Sequence, residues 1–137
     1  MKKKFTRSFD SLDRLYEFTE QFFDREAIDS SVRFPVNFSI EELFTNMVKY
    51  NKDDSHEILL RLKRRKTCIE VSLTDFESQP FDVTKARPAD TSSPLEERKP
   101  GGLGLHLIRN MVDTIDYRYE KGCSKITFTK LLGQSNV

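Results

Sequence analysis

Residues 99–112 read Lys99-Pro100-Gly101-Gly102-Leu103-Gly104-Leu105-His106-Leu107-Ile108-Arg109-Asn110-Met111-Val112. Three glycines in four positions cost backbone entropy and bury no side chain, so the first half is not ordinary core. The second half has the spacing of one buried helical face, at Gly104, Leu107, Ile108, Met111, Val112 and Ile115. A glycine-rich turn before a helix leaves N–H groups free at the positive end of the helix dipole. The stretch therefore predicts a phosphate site, with a flexible loop before a helix as the alternative.

Length and charge restrict the class of protein. The chain has 137 residues, which suits a single domain over 1–137. With 23 Lys and Arg against 22 Asp and Glu, the net charge of +1 gives no electrostatic argument for nucleic-acid or membrane binding. No apolar run approaches the roughly 18 residues of a membrane span, and no signal-peptide pattern follows Met1. We therefore expect a cytoplasmic, globular protein.

The two cysteines are too few for a disulfide framework or a zinc site. Cys68 and Cys123 both lie in predicted strands. We expect them to be small buried hydrophobic residues.

Hydrophobic periodicity in the first half predicts a strand, two helices and a connector between the helices. The boundaries are a strand over Lys4–Phe9, a helix from Asp10 or Ser11 to about Ala27, a connector over Ser30–Phe34, and a helix from about Pro35 to about Asn51. Pro35 is placed in the first helical turn, where its missing N–H does no harm.

The second half predicts two pairs of strands separated by a long segment and the glycine-loop helix. The apolar positions of the strands are Ile58, Leu60 and Leu62, then Ile69, Val71 and Leu73, then Ile115, Tyr117 and Tyr119, and last Ile126 and Phe128. Residues 76–100 hold four of the five prolines and little periodicity, and we interpret them as a lid loop. The last two strands turn at Lys121-Gly122. This order predicts an α+β two-layer sandwich, with a mixed, largely antiparallel sheet of about five strands and three helices on one face.

Two further patches carry chemistry. Glu42 and Asn46 lie one turn apart on the second helix, where a carboxylate can activate a hydroxyl and an amide oxygen can ligate Mg²⁺. Asp75 ends its strand and can accept a hydrogen bond from the exocyclic amine of a purine. Taken alone, each has a plain alternative: a solvated helix face for the first pair and a turn-starting aspartate for the second.

The combined pattern resembles the GHKL superfamily of ATPases, and most closely the anti-sigma factor serine kinases, also called anti-sigma regulatory factors. The residues that carry the resemblance are Glu42-Leu43-Phe44-Thr45-Asn46-Met47-Val48-Lys49, then Asp75, Pro80-Phe81-Asp82 and Pro94-Leu95-Glu96-Glu97-Arg98-Lys99-Pro100-Gly101-Gly102-Leu103-Gly104-Leu105. The resemblance extends from the first strand to Leu132.

The resemblance implies a role for each matched residue. Glu42 would be the general base, Asn46 the Mg²⁺ ligand, and Asp75 the acceptor for the adenine amine. The phosphates of ATP would lie along Gly101, Gly102, Leu103, Gly104 and Leu105. From their charge and their position at the end of the lid, and not from the resemblance, we further expect Arg98 and Lys99 to contact the γ-phosphate. The resemblance further implies phosphotransfer to a serine of an STAS-type anti-anti-sigma partner, binding of a sigma factor, and a homodimer.

Two positions depart from the pattern of that family. Glu77 stands where the adenine-binding motif of that family, which begins at the position of Asp75, has glycine. A glutamate is bulkier than glycine and negatively charged at a point where the backbone would approach the base. Tyr50 stands where a histidine is frequent. A binding-only partner switch with little or no kinase activity is therefore the alternative function. The catalytic domain of a histidine kinase is the third alternative, and it is disfavoured because neither histidine lies on a helix that could be a dimerisation helix with a phospho-accepting histidine. His56 begins a predicted strand, and His106 lies on the glycine-loop helix.

Overall fold

The computed structural model describes residues 1–50, 57–76 and 102–133. In these described residues, five strands and three α-helices follow one another in the predicted order. They are β1 (Lys2–Thr6), α1 (Leu12–Arg25), α2 (Ser30–Tyr50), β2 (Glu57–Arg64), β3 (Cys68–Asp75), α3 (Gly102–Met111), β4 (Thr114–Glu120) and β5 (Cys123–Leu131). A 3-10 turn, Phe9–Ser11, joins β1 to α1. The predicted lid lies outside the described residues except for Phe76.

The five strands form one sheet in the order β1-β2-β3-β5-β4. Every pairing is antiparallel, so the expectation of a mixed sheet is wrong for the described strands. Alternation buries one face of β2 and β3, and these residues form one core with the apolar residues of all three helices. The predicted α+β sandwich is confirmed.

The turn between β4 and β5 has the predicted place and a specific cause. Lys121 and Gly122 both have positive φ, 50° and 81°. Two such residues form the turn that matches the right-handed twist of a hairpin, and glycine adopts it without steric cost. Glu120 and Cys123 are therefore the last cross-strand pair of the hairpin.

Helix α2 is longer than the sequence predicts. It begins at Ser30, so the expected connector is its first turn and Pro35 lies inside it. Asp29 explains the early start, because its Oδ1 accepts the backbone N–H of Ser31 at 2.8 Å. Pro35 lies beyond the first turn and has no N–H, so α2 lacks one backbone hydrogen bond there. The packing of the helix tolerates this loss.

Other boundaries differ by a few residues. Strand β1 ends at Thr6 rather than Phe9, and Ser8 caps the following turn by accepting the N–H of Asp10 at 3.2 Å. On α3, Ile108 is buried as predicted, but Leu107 is 41% exposed. Ile115 belongs to β4 rather than to the helical face.

The two cysteines lie in strands as expected, but both are half-buried rather than buried. Cys68 and Cys123 alternate with the core residues of β3 and β5, which places them on the opposite face of the sheet. Within the described ranges, no helix is long and apolar enough to cross a membrane.

Candidate functional site

Asn46 is a buried amide without a hydrogen-bond partner. Its residue surface is 2% exposed, and neither Oδ1 nor Nδ2 has a partner in the described part of the chain. Leu43 and Met47 beside it on α2 are core residues. An unsatisfied buried amide costs free energy, so its retention among apolar neighbours points to a ligand that satisfies it.

Glu42 lies one helical turn before Asn46 and has the opposite exposure. It is half-buried, while Asn46 is enclosed. The helix is regular at this point, and the Thr45 hydroxyl donates to the Glu42 carbonyl at 3.1 Å. The i, i+4 spacing puts the carboxylate and the amide on one face, as predicted. A carboxylate in this position is accessible to a hydroxyl brought by a second molecule.

Asp75 is the last residue of β3 and points to the buried side of the sheet. It stands in a row with Phe5, Ile58 and Ser124 on the neighbouring strands. The residue is 1% exposed, and its carboxylate accepts a hydrogen bond from Nη2 of Arg7. The predicted adenine acceptor therefore already has a charged donor.

Arg7 is the site residue that the sequence analysis did not identify. It is 1% exposed, and its ion pair with Asp75 joins two side chains with exposures of 0% and 2%. The turn after β1 fixes its backbone, because the Ser8 N–H and the Ser11 hydroxyl both donate to the Thr6 carbonyl, at 2.7 and 2.8 Å. Its signal in the sequence was its position two residues after Phe5, on the buried side of the chain, where an arginine requires an acidic partner.

The glycine-rich stretch begins α3. The helix starts at Gly102, so Gly102 and Gly104 belong to its first turn rather than to a preceding loop. Helix α3 packs against α2, the helix that carries Glu42 and Asn46. The free N–H groups of its first turn are a suitable binding place for phosphate. Arg98, Lys99 and Gly101 lie outside the described residues.

Different residues of the candidate site would hold Mg²⁺, the phosphates of ATP and the adenine. The unpartnered oxygen of Asn46 fits a hard cation such as Mg²⁺, which prefers oxygen ligands. The glycine-started α3 fits a phosphate. Asp75 accepts a hydrogen bond from Arg7 on Oδ1, and since a carboxylate has further acceptor sites, an adenine amine would share it with Arg7.

The chain matches a known protein family over residues 5–130, that of the histidine kinase-like ATPase domain. It belongs to this family. The match includes Glu42, Asn46, Asp75 and the start of α3, so the resemblance that these residues indicated is confirmed.

Relatives of this ATPase domain are named protein kinases. This chain is 28% identical over 118 residues to the serine/threonine-protein kinase BtrW of Bordetella bronchiseptica, and the match covers 85% of this chain and 82% of BtrW. It is 29% identical over 106 residues to the serine-protein kinase RsbW of Halalkalibacterium halodurans, covering 74% of this chain. The match spans 64% of that RsbW protein.

Solved structures share the fold of this ATPase domain. One contains the RsbU and RsbW domains of a Mycobacterium tuberculosis protein, with a TM-score of 0.64 and 12% identity, over 99% of this chain and 34% of that one. The catalytic domain of the histidine kinase ThkA has a TM-score of 0.58 and 14% identity, over 96% of both chains. At these identities the likeness establishes the fold alone.

Proposed function

We propose that this ATPase domain is a Mg·ATP-dependent protein serine kinase. Its substrate would be a serine of an STAS-type anti-anti-sigma protein, and it would also sequester a sigma factor. The observation that carries the proposal is the buried, unpartnered amide of Asn46 with the accessible carboxylate of Glu42 one turn earlier. The kinase names of the relatives and the family match support it.

In the proposed mechanism each residue has one task. Bound Mg²⁺ supplies charge neutralisation at the phosphates. The amide oxygen of Asn46 holds the cation, and N–H groups at the start of α3 hold phosphate oxygens. Glu42 accepts the proton of the attacking serine hydroxyl. Arg98 and Lys99 are proposed to contact the γ-phosphate.

A nucleotide-independent partner switch is the second candidate function. The Arg7–Asp75 ion pair favours it, because an acceptor that is already paired contributes less to adenine binding. In that case the chain would bind its protein partners with the same affinity in the presence and absence of ATP.

Phosphotransfer distinguishes the two functions. The chain is incubated with Mg²⁺, γ-labelled ATP and a purified STAS-type partner, and with the same partner carrying alanine at its acceptor serine. The kinase proposal expects label on the serine form alone. Equal partner binding with and without ATP, and no label on either form, would leave the partner switch.

A further inference from the structure

Strands β1 and β2 bring two basic stretches of the sequence together. Their register places Lys2 opposite Arg61 and Lys4 opposite Leu59. The buried residues of both strands face the core, so the residues that alternate with them lie on the face of the sheet opposite the helices. Four exposed cations lie on that face at neighbouring positions: Lys2, Lys4, Arg61 and Lys63. We call these four residues the basic patch.

The positive charge of the basic patch is not balanced by ion pairs. Among the described residues, no ion pair joins any of its four members to an acidic side chain. Lys2 and Arg61 are direct cross-strand neighbours, and like charges in that arrangement destabilise a sheet. Glu70 lies opposite Lys63 on β3, but its carboxylate is ion-paired with Arg65. The free chain therefore keeps an arrangement of charges that a ligand of opposite charge would stabilise.

Protection of the sheet edge explains only part of this arrangement. Strand β1 is an edge strand of the described sheet, and lysines on an edge strand discourage pairing with other chains. Arg61 lies on β2, where it pairs with Lys2 on one side and with Ser72 on the other. Because Arg61 protects no edge, its position beside the lysines of β1 requires another reason.

The charges around the basic patch favour a short acidic ligand. Glu57 lies beyond Leu59 on the same face of β2, and Glu70 lies on β3 beside the other end of the patch. A continuous polyanion such as a nucleic acid, or an anionic membrane, would also meet these two carboxylates, which repel it. A second copy of this chain would bring the same positive charges opposite each other in a symmetric contact.

We propose that the basic patch binds an acidic segment of a partner protein. Side chains at every second residue of an extended segment lie about 7 Å apart on one face, which is also the spacing of Lys2 and Lys4 along β1. Carboxylates at that spacing pair with these lysines and with Arg61. The helix that carries Glu42 and Asn46 packs on the other face of the sheet, so this inference does not rest on the proposed nucleotide site.

Titration with a peptide tests the proposal directly. The isotope-labelled chain is titrated at low ionic strength with a short peptide that alternates glutamate and threonine, and with its glutamine counterpart, and amide signals are followed by NMR. We expect signals of β1 and β2 to shift, and the glutamate peptide to bind about tenfold or more tightly than the glutamine peptide, because several exposed charge pairs add up. Added salt should weaken this binding. Shifts on the helices instead, or equal affinities for the two peptides, would overturn the proposal.

Substitutions test the location of the binding site. Arg61→Gln should weaken binding of the glutamate peptide by about threefold or more. Arg14→Gln is the matched control, because it makes the same change at an exposed arginine on α1, and it should bind the peptide as the parent does. The double variant Lys2→Glu with Arg61→Glu should bind a peptide that alternates lysine and threonine in preference to the glutamate peptide. Circular dichroism checks that each variant is folded. Parental affinity in Arg61→Gln, or an equal loss in Arg14→Gln, would show that the basic patch is not the binding site.

Two further probes distinguish the partner protein from other anions. A single-stranded oligonucleotide with the charge of the peptide, and vesicles that contain phosphatidylserine, are titrated under the same conditions. Both should bind more weakly than the glutamate peptide, because Glu57 and Glu70 flank the basic patch. Tighter binding of either probe would overturn the assignment to an acidic protein segment. Self-association that Arg61→Gln abolishes would overturn it too, in favour of a second copy of this chain.

Discussion

Ile28 donates its backbone N–H to the carbonyl of Phe23, 2.9 Å away, across the C-terminus of α1. The N–H of Ala27 donates to the Asp24 carbonyl at 3.3 Å in the same turn. These two bonds are the two that define a Schellman motif, and both Ile28 and Phe23 are buried. The motif requires a left-handed residue between them, and Ala27 has a φ of 53°.

We expect Ala27→Gly to stabilise the protein. A residue other than glycine in the left-handed conformation costs about 1–2 kcal/mol of conformational strain, which glycine avoids. The larger entropy of glycine in the unfolded chain offsets about 0.4–1 kcal/mol of this gain. The net gain should be about 0.5–1 kcal/mol. Urea denaturation measures it. Ala27→Val, with the opposite steric demand, should be destabilising, and a loss of stability in the glycine variant would contradict the geometry.

Asn46→Leu should separate stability from nucleotide binding. Replacing an unpartnered buried amide with an apolar side chain of similar volume should raise the free energy of unfolding by about 1 kcal/mol. The same change removes the proposed cation ligand, so Mg²⁺ should no longer enhance ATP binding. Denaturation and a Mg²⁺ titration at fixed ATP measure the two effects.

Asn37 provides the matched control on the same helix. Its side chain is satisfied, since it accepts from the Thr19 hydroxyl at 2.6 Å and donates to Glu20 at 3.0 Å. Asn37→Leu should therefore lose about 1 kcal/mol and keep the Mg²⁺ effect. If Asn46→Leu loses stability as Asn37→Leu does, the amide of Asn46 has a partner in the folded chain.

Glu42→Gln should slow phosphotransfer without changing ATP affinity. The variant keeps the shape of the side chain and removes the proton acceptor, so transfer to the partner serine should fall by about 100-fold or more. Single-turnover transfer and equilibrium ATP binding are measured on the same preparation. Glu41→Gln, the exposed neighbour, is the control and should transfer phosphate at the parental rate. A parental rate for Glu42→Gln would exclude Glu42 as the base.

Asp29 links the start of α2 to pH. Hydrogen bonds from the Ser31 hydroxyl and backbone N–H lower the pKa of Asp29 below its ordinary value of 3.8. A lowered acid pKa contributes stability that is present above pH 3.8 and is lost as pH falls through the folded pKa. Asp29→Asn can still accept the N–H but does not titrate, so its denaturation midpoint should fall less steeply with acid. Parallel acid curves for both proteins would contradict this assignment.

The strands and the order of elements could be predicted from the sequence because their signals are local. Ile58, Leu60 and Leu62 alternate with Leu59 and with the charged Arg61 and Lys63, and the structure buries all three. The Lys121-Gly122 turn has its own conformational requirement, which glycine meets. That Glu42 and Asn46 lie on one face of a helix could likewise be predicted, because it follows from their spacing within a single element.

Errors arose where a local rule met tertiary packing. Pro35 suggested a helix start, but Asp29 caps the helix earlier and the core retains the extra turn. Leu107 fitted the apolar face of α3, yet it remains 41% exposed because the helix packs through Ile108. Spacing defines a wide stripe on a helix, and only packing decides which part of it is covered.

The sequence by itself predicted which residues carry the chemistry, and the tertiary structure decided how these residues are buried and paired. Asp75 was identified from its place at the end of a strand, but its partner Arg7 is 68 positions away and no local pattern joins them. Asn46 was predicted as a cation ligand, and folding made it an enclosed amide with unsatisfied atoms. Burial and pairing of charges depend on which strands become neighbours, and that is fixed only when the sheet forms and excludes water.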